Sequence, residues 1–107
     1  MATERQIGVC LTSWVRSHYP DVIWFHVANE GQQSKVSEGV LPGAADYFLS
    51  EPMGIHSGLY LEIKTERGKL SDKQASFGKK AIEKGYHWEV AYGINQCMDA
   101  VKRYMSL

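Results

Sequence analysis

Apolar residues recur at Ile7, Cys10, Leu11, Trp14 and Val15, the i, i+3, i+4, i+7 and i+8 rhythm of one helical face, until Pro20 ends the pattern. Thr3-x-x-Gln6 just ahead of it has the form of a capping box. The period then changes. Val22-Ile23-Trp24-Phe25-His26-Val27 is rich in β-branched and aromatic residues and predicts a strand, followed by a polar loop from Asn29 to Ser34. Two more short strands are expected at Asp46 to Leu49 and Leu59 to Lys64. Arg67-Gly68-Lys69 marks a turn, and Ser71-x-x-Gln74 opens a helix that runs to about Lys84, with Gly85 as its stop. His87 to Tyr92 predicts a fourth strand, and Ile94, Cys97, Met98, Val101 and Met105 mark a final amphipathic helix. The expected order is α-β-β-β-α-β-α, with no internal repeat or linker.

The run Leu59-Tyr60-Leu61-Glu62-Ile63-Lys64 breaks its own apolar logic. Strand residues two apart share a face at about 6.6 to 6.8 Å. Leu59, Leu61 and Ile63 can therefore enter a core, while Glu62 and Lys64 share the opposite face, close enough to converge on one metal ion, water or phosphate. The plainer alternative is an ion pair on a half-exposed strand. Asp46 stands at the start of the preceding strand, after the loop Gly39 to Ala45, and pairing of the two strands would bring it to Glu62 at a sheet edge. Facing carboxylates repel unless a cation lies between them or one takes up a proton. An all-oxygen site of that kind suits magnesium, or manganese in its place, better than zinc.

Gly39 through Asp46, Glu62-x-Lys64 and Ser71-x-x-Gln74 together resemble the PD-(D/E)xK nuclease signature, and more narrowly its VRR-NUC branch, the virus-type replication and repair nucleases. Phe25-His26-Val27-x-Asn29-Glu30-Gly31, the Gly-x-x-Pro-Gly lead-in and Gly68-Lys69-Leu70-Ser71 agree with that branch, so the resemblance spans about half of the chain, from Phe25 to Gln74. One position departs from it: the family has proline immediately before the aspartate, and this chain has Ala45. Proline there stiffens the backbone but supplies no ligand. The resemblance implies an α/β fold with a restriction-endonuclease-like core, in which a mixed central β-sheet is flanked by helices. It further implies a metal shell of Asp46, Glu62, the Ile63 backbone carbonyl and Glu30, with Asp46, Glu62, Lys64 and Gln74 as catalytic residues. Glu30 is otherwise a solvated turn acid, and Gln74 is otherwise a helix cap. Lys64 would serve either as a base or as an electrostatic stabiliser. His26, a strand histidine, stays outside the metal shell.

The 107 residues suit one domain, here a stand-alone nuclease module spanning 1–107. No apolar run approaches the roughly 18 residues of a membrane span and the N-terminus is charged, so a cytoplasmic location, in a bacterium or a virus-infected host cell, is expected. Cys10 and Cys97 both fall on apolar helical stripes and read as small buried side chains. Net charge is zero, which argues against nucleic acid until its distribution is seen. Residues 64–84 carry seven basic against three acidic side chains, a net +4, and residues 1–63 carry the opposite, −4. The basic block adjoins Lys64, where a scissile phosphate would approach. Lys35, Arg67, Lys69 and Lys73 are the candidate DNA contacts, although a solvated helix surface is the ordinary reason for such a block.

No helix-turn-helix or zinc finger fits in the remaining residues, so recognition by DNA shape is expected rather than by sequence. Stand-alone members of the resembled family are similar to Holliday-junction resolvases and act as homodimers, which implies a magnesium-dependent endonuclease making paired cuts in a four-way junction. Cleavage of flaps or other branched DNA, a non-catalytic DNA-binding scaffold, and an unrelated α+β protein with a surface ion pair are the alternatives.

Overall fold

The computed structural model describes residues 2–28 and 36–107. Its elements run α1 (Glu4–His18), β1 (Trp24–His26), β2 (Tyr47–Leu49), β3 (Leu59–Lys64), α2 (Asp72–Glu83), β4 (His87–Tyr92) and α3 (Ile94–Met105), in the order that the hydrophobic pattern predicts. The strands form a mixed sheet in the order β1-β2-β3-β4. β2 lies antiparallel to β1 and β3, and β4 lies parallel to β3. A parallel pair needs a crossover, and α2 supplies it.

The two long strands match their predicted spans, but the first two are shorter than theirs: β1 leaves out Val22, Ile23 and Val27, and β2 leaves out Asp46. In β1 only Trp24 is buried, while Phe25 and His26 are exposed. Ile23, just before it, is also exposed, and with no second face to bury the ladder stops early. Trp24 is held by its Nε1–H, which donates to Thr12 Oγ1 of α1 at 3.0 Å.

α1 and α3 cover one face of the sheet. Ile7, Leu11 and Val15 from α1 meet Leu59, Leu61 and Ile63 from β3 and Cys97, Ala100, Val101 and Tyr104 from α3 in a single core. Cys10 corrects its sequence reading, for it is exposed whereas Cys97 is buried, and both thiols are free. The buried stripe of α1 is turned toward Gly8, where a Cβ would come within 2.6 Å of the Tyr47 hydroxyl, and this rotation leaves Cys10 outside. α2 covers the opposite face. Its capping box at Ser71 and Gln74 is formed on both sides, and Gly85 ends it at φ +97°. There Tyr86 N–H donates to the Ala81 carbonyl and Gly85 N–H to that of Ile82, which is a Schellman motif. Among the described residues no helix is long and apolar enough to cross a membrane.

Candidate active site

Alternation along β3 puts Tyr60, Glu62 and Lys64 on the face beneath α2. Glu62 is 1% exposed and Lys64 7%, so the pair is no surface ion pair on a half-exposed strand. Burying these charges costs several kcal/mol per ion unless partners compensate. Glu62 Oε2 has two: Gln74 Nε2 donates to it at 3.1 Å, and Lys64 Nζ stands 3.8 Å away. Glu62 Oε1 is equally buried and finds no hydrogen-bond donor among the described residues.

The group that presses on this carboxylate is Asp46. With Tyr47 opposite Leu61, the antiparallel register carries Asp46 to a place opposite Glu62, one step past the end of the β2 ladder. Ile63 N–H donates to Asp46 Oδ2 at 2.7 Å, and the Asp46 carbonyl accepts from Val27 N–H at 2.7 Å. β2 and β3 are both interior strands, so the two acids meet inside the sheet and not at its edge as the sequence suggested. Burial, then the charge of Asp46 and a hydrogen bond with it, push the Glu62 carboxyl up to about 9; Lys64 pulls it down, and the more distant Glu4 adds to the rise. Two carboxyls can share a hydrogen bond only while one of them carries the proton. With both ionised, Oε1 has no donor.

These features fit a hard divalent cation. The ligand atoms are oxygen, one buried carboxylate oxygen has no hydrogen-bond donor among the described residues, and two acids oppose each other at a point a cation would relieve. In an antiparallel ladder the N–H and C=O of one residue point to the same neighbour, so the Ile63 carbonyl is turned, like its N–H, to the Asp46 side. Among the described residues no three His, Cys, Asp or Glu side chains cluster closely enough to hold a metal by themselves. Backbone oxygen, water and phosphate would complete the coordination.

Gln74 unites the two roles that its sequence left open. Its Oε1 accepts from Ser71 N–H at 2.9 Å and its own N–H donates to Ser71 Oγ at 3.1 Å, which completes the cap, while Nε2 reaches Glu62. The helix start and the site thus share one side chain.

The loop ahead of Asp46 is fixed from the same direction. Ala44 N–H donates to the Leu41 carbonyl at 3.1 Å across Pro42-Gly43, with Gly43 at φ +89°, which are the residues and the sign that a type II turn requires. A Cβ on Gly43 would lie 2.6 Å from the Lys73 carbonyl oxygen, so the loop backbone rests directly on the first turn of α2. Ala45, where the resembled family has proline, is fully buried.

Beside Asp46 a cleft of about 490 Å³ opens, lined by Glu4, Arg5, His26 and Ile63 among others. Glu4 is the acid the sequence reading passed over, because a glutamate in the first turn of a helix is expected for its effect on the helix dipole alone. His26, left out of the metal shell on sequence grounds, lines the same cleft. Arg67, Lys69 and Lys73 are exposed, the first two on the turn after β3 and the third in the first turn of α2. Glu30 and Lys35 lie outside the described residues.

The sequence matches no family model and no curated protein. The fold does have solved counterparts. A structure called a VRR_NUC domain protein superposes with a TM-score of 0.87 at 20% identity, over 100% of this chain and 91% of that one. A second, called a VRR_NUC domain, superposes with a TM-score of 0.62 at 17% identity, over 96% of this chain and 99% of the other. The four-stranded mixed sheet flanked by three helices is thus the fold of these VRR_NUC structures.

Proposed function

We propose that this chain, which has the VRR_NUC fold, is a metal-dependent nuclease that hydrolyses phosphodiester bonds in DNA. The observation that carries the reading is the opposition of Asp46 to the buried Glu62, whose Oε1 has no donor among the described residues, with the ammonium of Lys64 at 3.8 Å from the other oxygen. A fold needing only stability would place apolar groups there.

Asp46, Glu62 and the Ile63 carbonyl would hold magnesium, with manganese as substitute, and Glu30 and Glu4 are further carboxylates for the same ion or its water. Bound there, the ion would lower the pKa of a water and stabilise charge on phosphate oxygens. The side chains do the rest. Gln74 fixes the Glu62 carboxylate in place through Nε2. Lys64 presents an ammonium beside the metal ligands, where it neutralises charge that develops on the phosphate or, once deprotonated, takes a proton from the attacking water. Arg67, Lys69 and Lys73 offer exposed cations to the flanking phosphates, and Lys35 is a further candidate contact.

We further propose a four-way junction as substrate and a homodimer as the acting form, as the resemblance to the VRR-NUC branch implies. Labelled four-way junction, flap and linear duplex, each incubated with magnesium and with EDTA, test both levels. Junction cleavage that needs magnesium and is abolished by Asp46→Asn is the expected result. Flap-only cleavage would move the substrate, and binding with no metal-dependent cleavage would leave a scaffold. A light-scattering mass decides the dimer.

A further inference from the structure

We propose that the outer face of α2 and the aromatic cluster below it form a track that holds a single, unpaired nucleic-acid strand beside the catalytic site. The proposal rests on the nuclease reading for its purpose, but its geometry is separate, and it fits a flap or other branched DNA that carries an unpaired strand rather than a fully paired four-way junction. At 100° per residue, Lys73, Phe77, Lys80 and Lys84 fall within about 60° of arc on α2, and the helix's acids Asp72 and Glu83 fall outside it. Two hollows of about 320 and 170 Å³ lie along this stripe and share Leu41, Phe77 and Lys80, so they form one groove. Among the described residues no acidic side chain lines either hollow.

The floor is aromatic. Tyr60 meets Phe77 edge-on at 5.1 Å and Tyr86 at 5.3 Å, and Leu41, 55% exposed, forms the far lip. Cations along an apolar, aromatic floor match a strand whose bases are unpaired, because bases stack on rings while lysines take the phosphates. A duplex hides its bases, and would leave Leu41 and the floor in water. Charge complementarity therefore selects nucleic acid, and the floor selects a single strand. From Lys73 to Lys84 the stripe runs about 16 Å along the helix, room for a few nucleotides of an unpaired strand.

The track leads to the site. Tyr60 shares its strand face with Glu62, about 7 Å away. Leu41 and Pro42 belong to the turn that delivers Asp46, and Lys73 precedes Gln74. A strand in the groove would thus pass from the stacking floor to the carboxylates without leaving the α2 side of the sheet.

The test is fluorescence anisotropy in EDTA, where nothing is cleaved, with labelled oligo-dT of about 15 nucleotides and a duplex of equal length, on the full chain. Lys80→Ala/Lys84→Ala is expected to weaken oligo-dT binding on the order of tenfold and to lower the slope of log affinity against log salt by about 1.4, from two lost phosphate contacts. Phe77→Leu keeps an apolar side chain but removes the ring, and is expected to lose fivefold or more through stacking, with the duplex changed little. Melting curves show that each variant is folded. Wild-type protein that does not bind oligo-dT, variants that bind it normally, or equal losses for duplex and single strand would each overturn the track. Magnesium-dependent cleavage by wild type alongside normal binding by the variants would sink the track alone, whereas groove-dependent binding without cleavage would sustain the track and sink the nuclease reading.

Discussion

Replacing Glu62 by glutamine removes the charge that the fold works against. The side chain keeps its shape, its oxygen still accepts from Gln74, and its new amide can donate to Asp46. In the wild type the carboxyl is pushed from its ordinary 4.5 up to about 9 by burial first and then by Asp46. The folded state then holds a proton that the unfolded chain releases, so without metal the contribution of Glu62 to stability falls as pH rises between about 4.5 and 9 and is constant outside that window. At pH 7 the two states differ over about 2.5 pH units, a penalty on the order of 3 kcal/mol. For a domain of this size that is roughly 10 to 20 °C in melting temperature. Melting followed by circular dichroism in EDTA at pH 5, 7 and 9 should show a sloping wild type and a flatter, more stable E62Q. Magnesium at a hundredfold excess over its dissociation constant should raise the wild type by about 2.7 kcal/mol and leave E62Q nearly unmoved. Equal melting temperatures at pH 7 in EDTA, with no slope in the wild type, would mean that the two carboxyls do not oppose each other, and the metal site would lose its physical basis.

Three further outcomes follow from the same geometry. Lys64→Ala should lower magnesium-dependent cleavage on the order of 10²-fold in protein that stays folded, as read by single-turnover rates on labelled DNA; a near-normal rate would remove the lysine from the chemistry. Gln74→Glu keeps a capping-box residue but sets a third carboxylate against Glu62, so its melting temperature should drop in EDTA and recover with magnesium more than that of the wild type; a loss that magnesium leaves untouched would place the effect in the cap alone. Gly43→Ala combines φ +89° with a 2.6 Å approach to the Lys73 carbonyl and should cost about 2 kcal/mol in urea unfolding; an unchanged midpoint would show that the turn relaxes freely.

The element order was legible because each segment carries one dominant period. The helical spacing from Ile7 to Val15 survives in the buried Ile7, Leu11 and Val15, and the alternation from Leu59 to Lys64 divides the two faces of β3. What escaped depends on neighbours distant in sequence. The rotation of α1 that exposes Cys10 comes from Tyr47 closing on Gly8, a contact across 39 positions that no helical wheel contains. Glu4 was passed over for a related reason: only the folded chain brings the first turn of α1 to the Asp46 cleft. The meeting of Asp46 and Glu62 was legible from strand alternation together with the family resemblance, but their place inside the sheet required its strand order. Glu30 and Lys35 fall outside the described residues, so their places in the site stand as proposals.

Gln74 also changes how this chain should be compared with its relatives. A residue that closes a helix cap on one side and steadies Glu62 on the other is under two selections at once. A lineage that gave up catalysis would still be held to glutamine, or to the glutamate that capping equally accepts, by the demand to start α2. Persistence at position 74 is therefore poor evidence of a living enzyme. Lys64 gives the sharper signal: once the acids beside it were gone, a buried ammonium would be only a cost to the fold, and drift would remove it first.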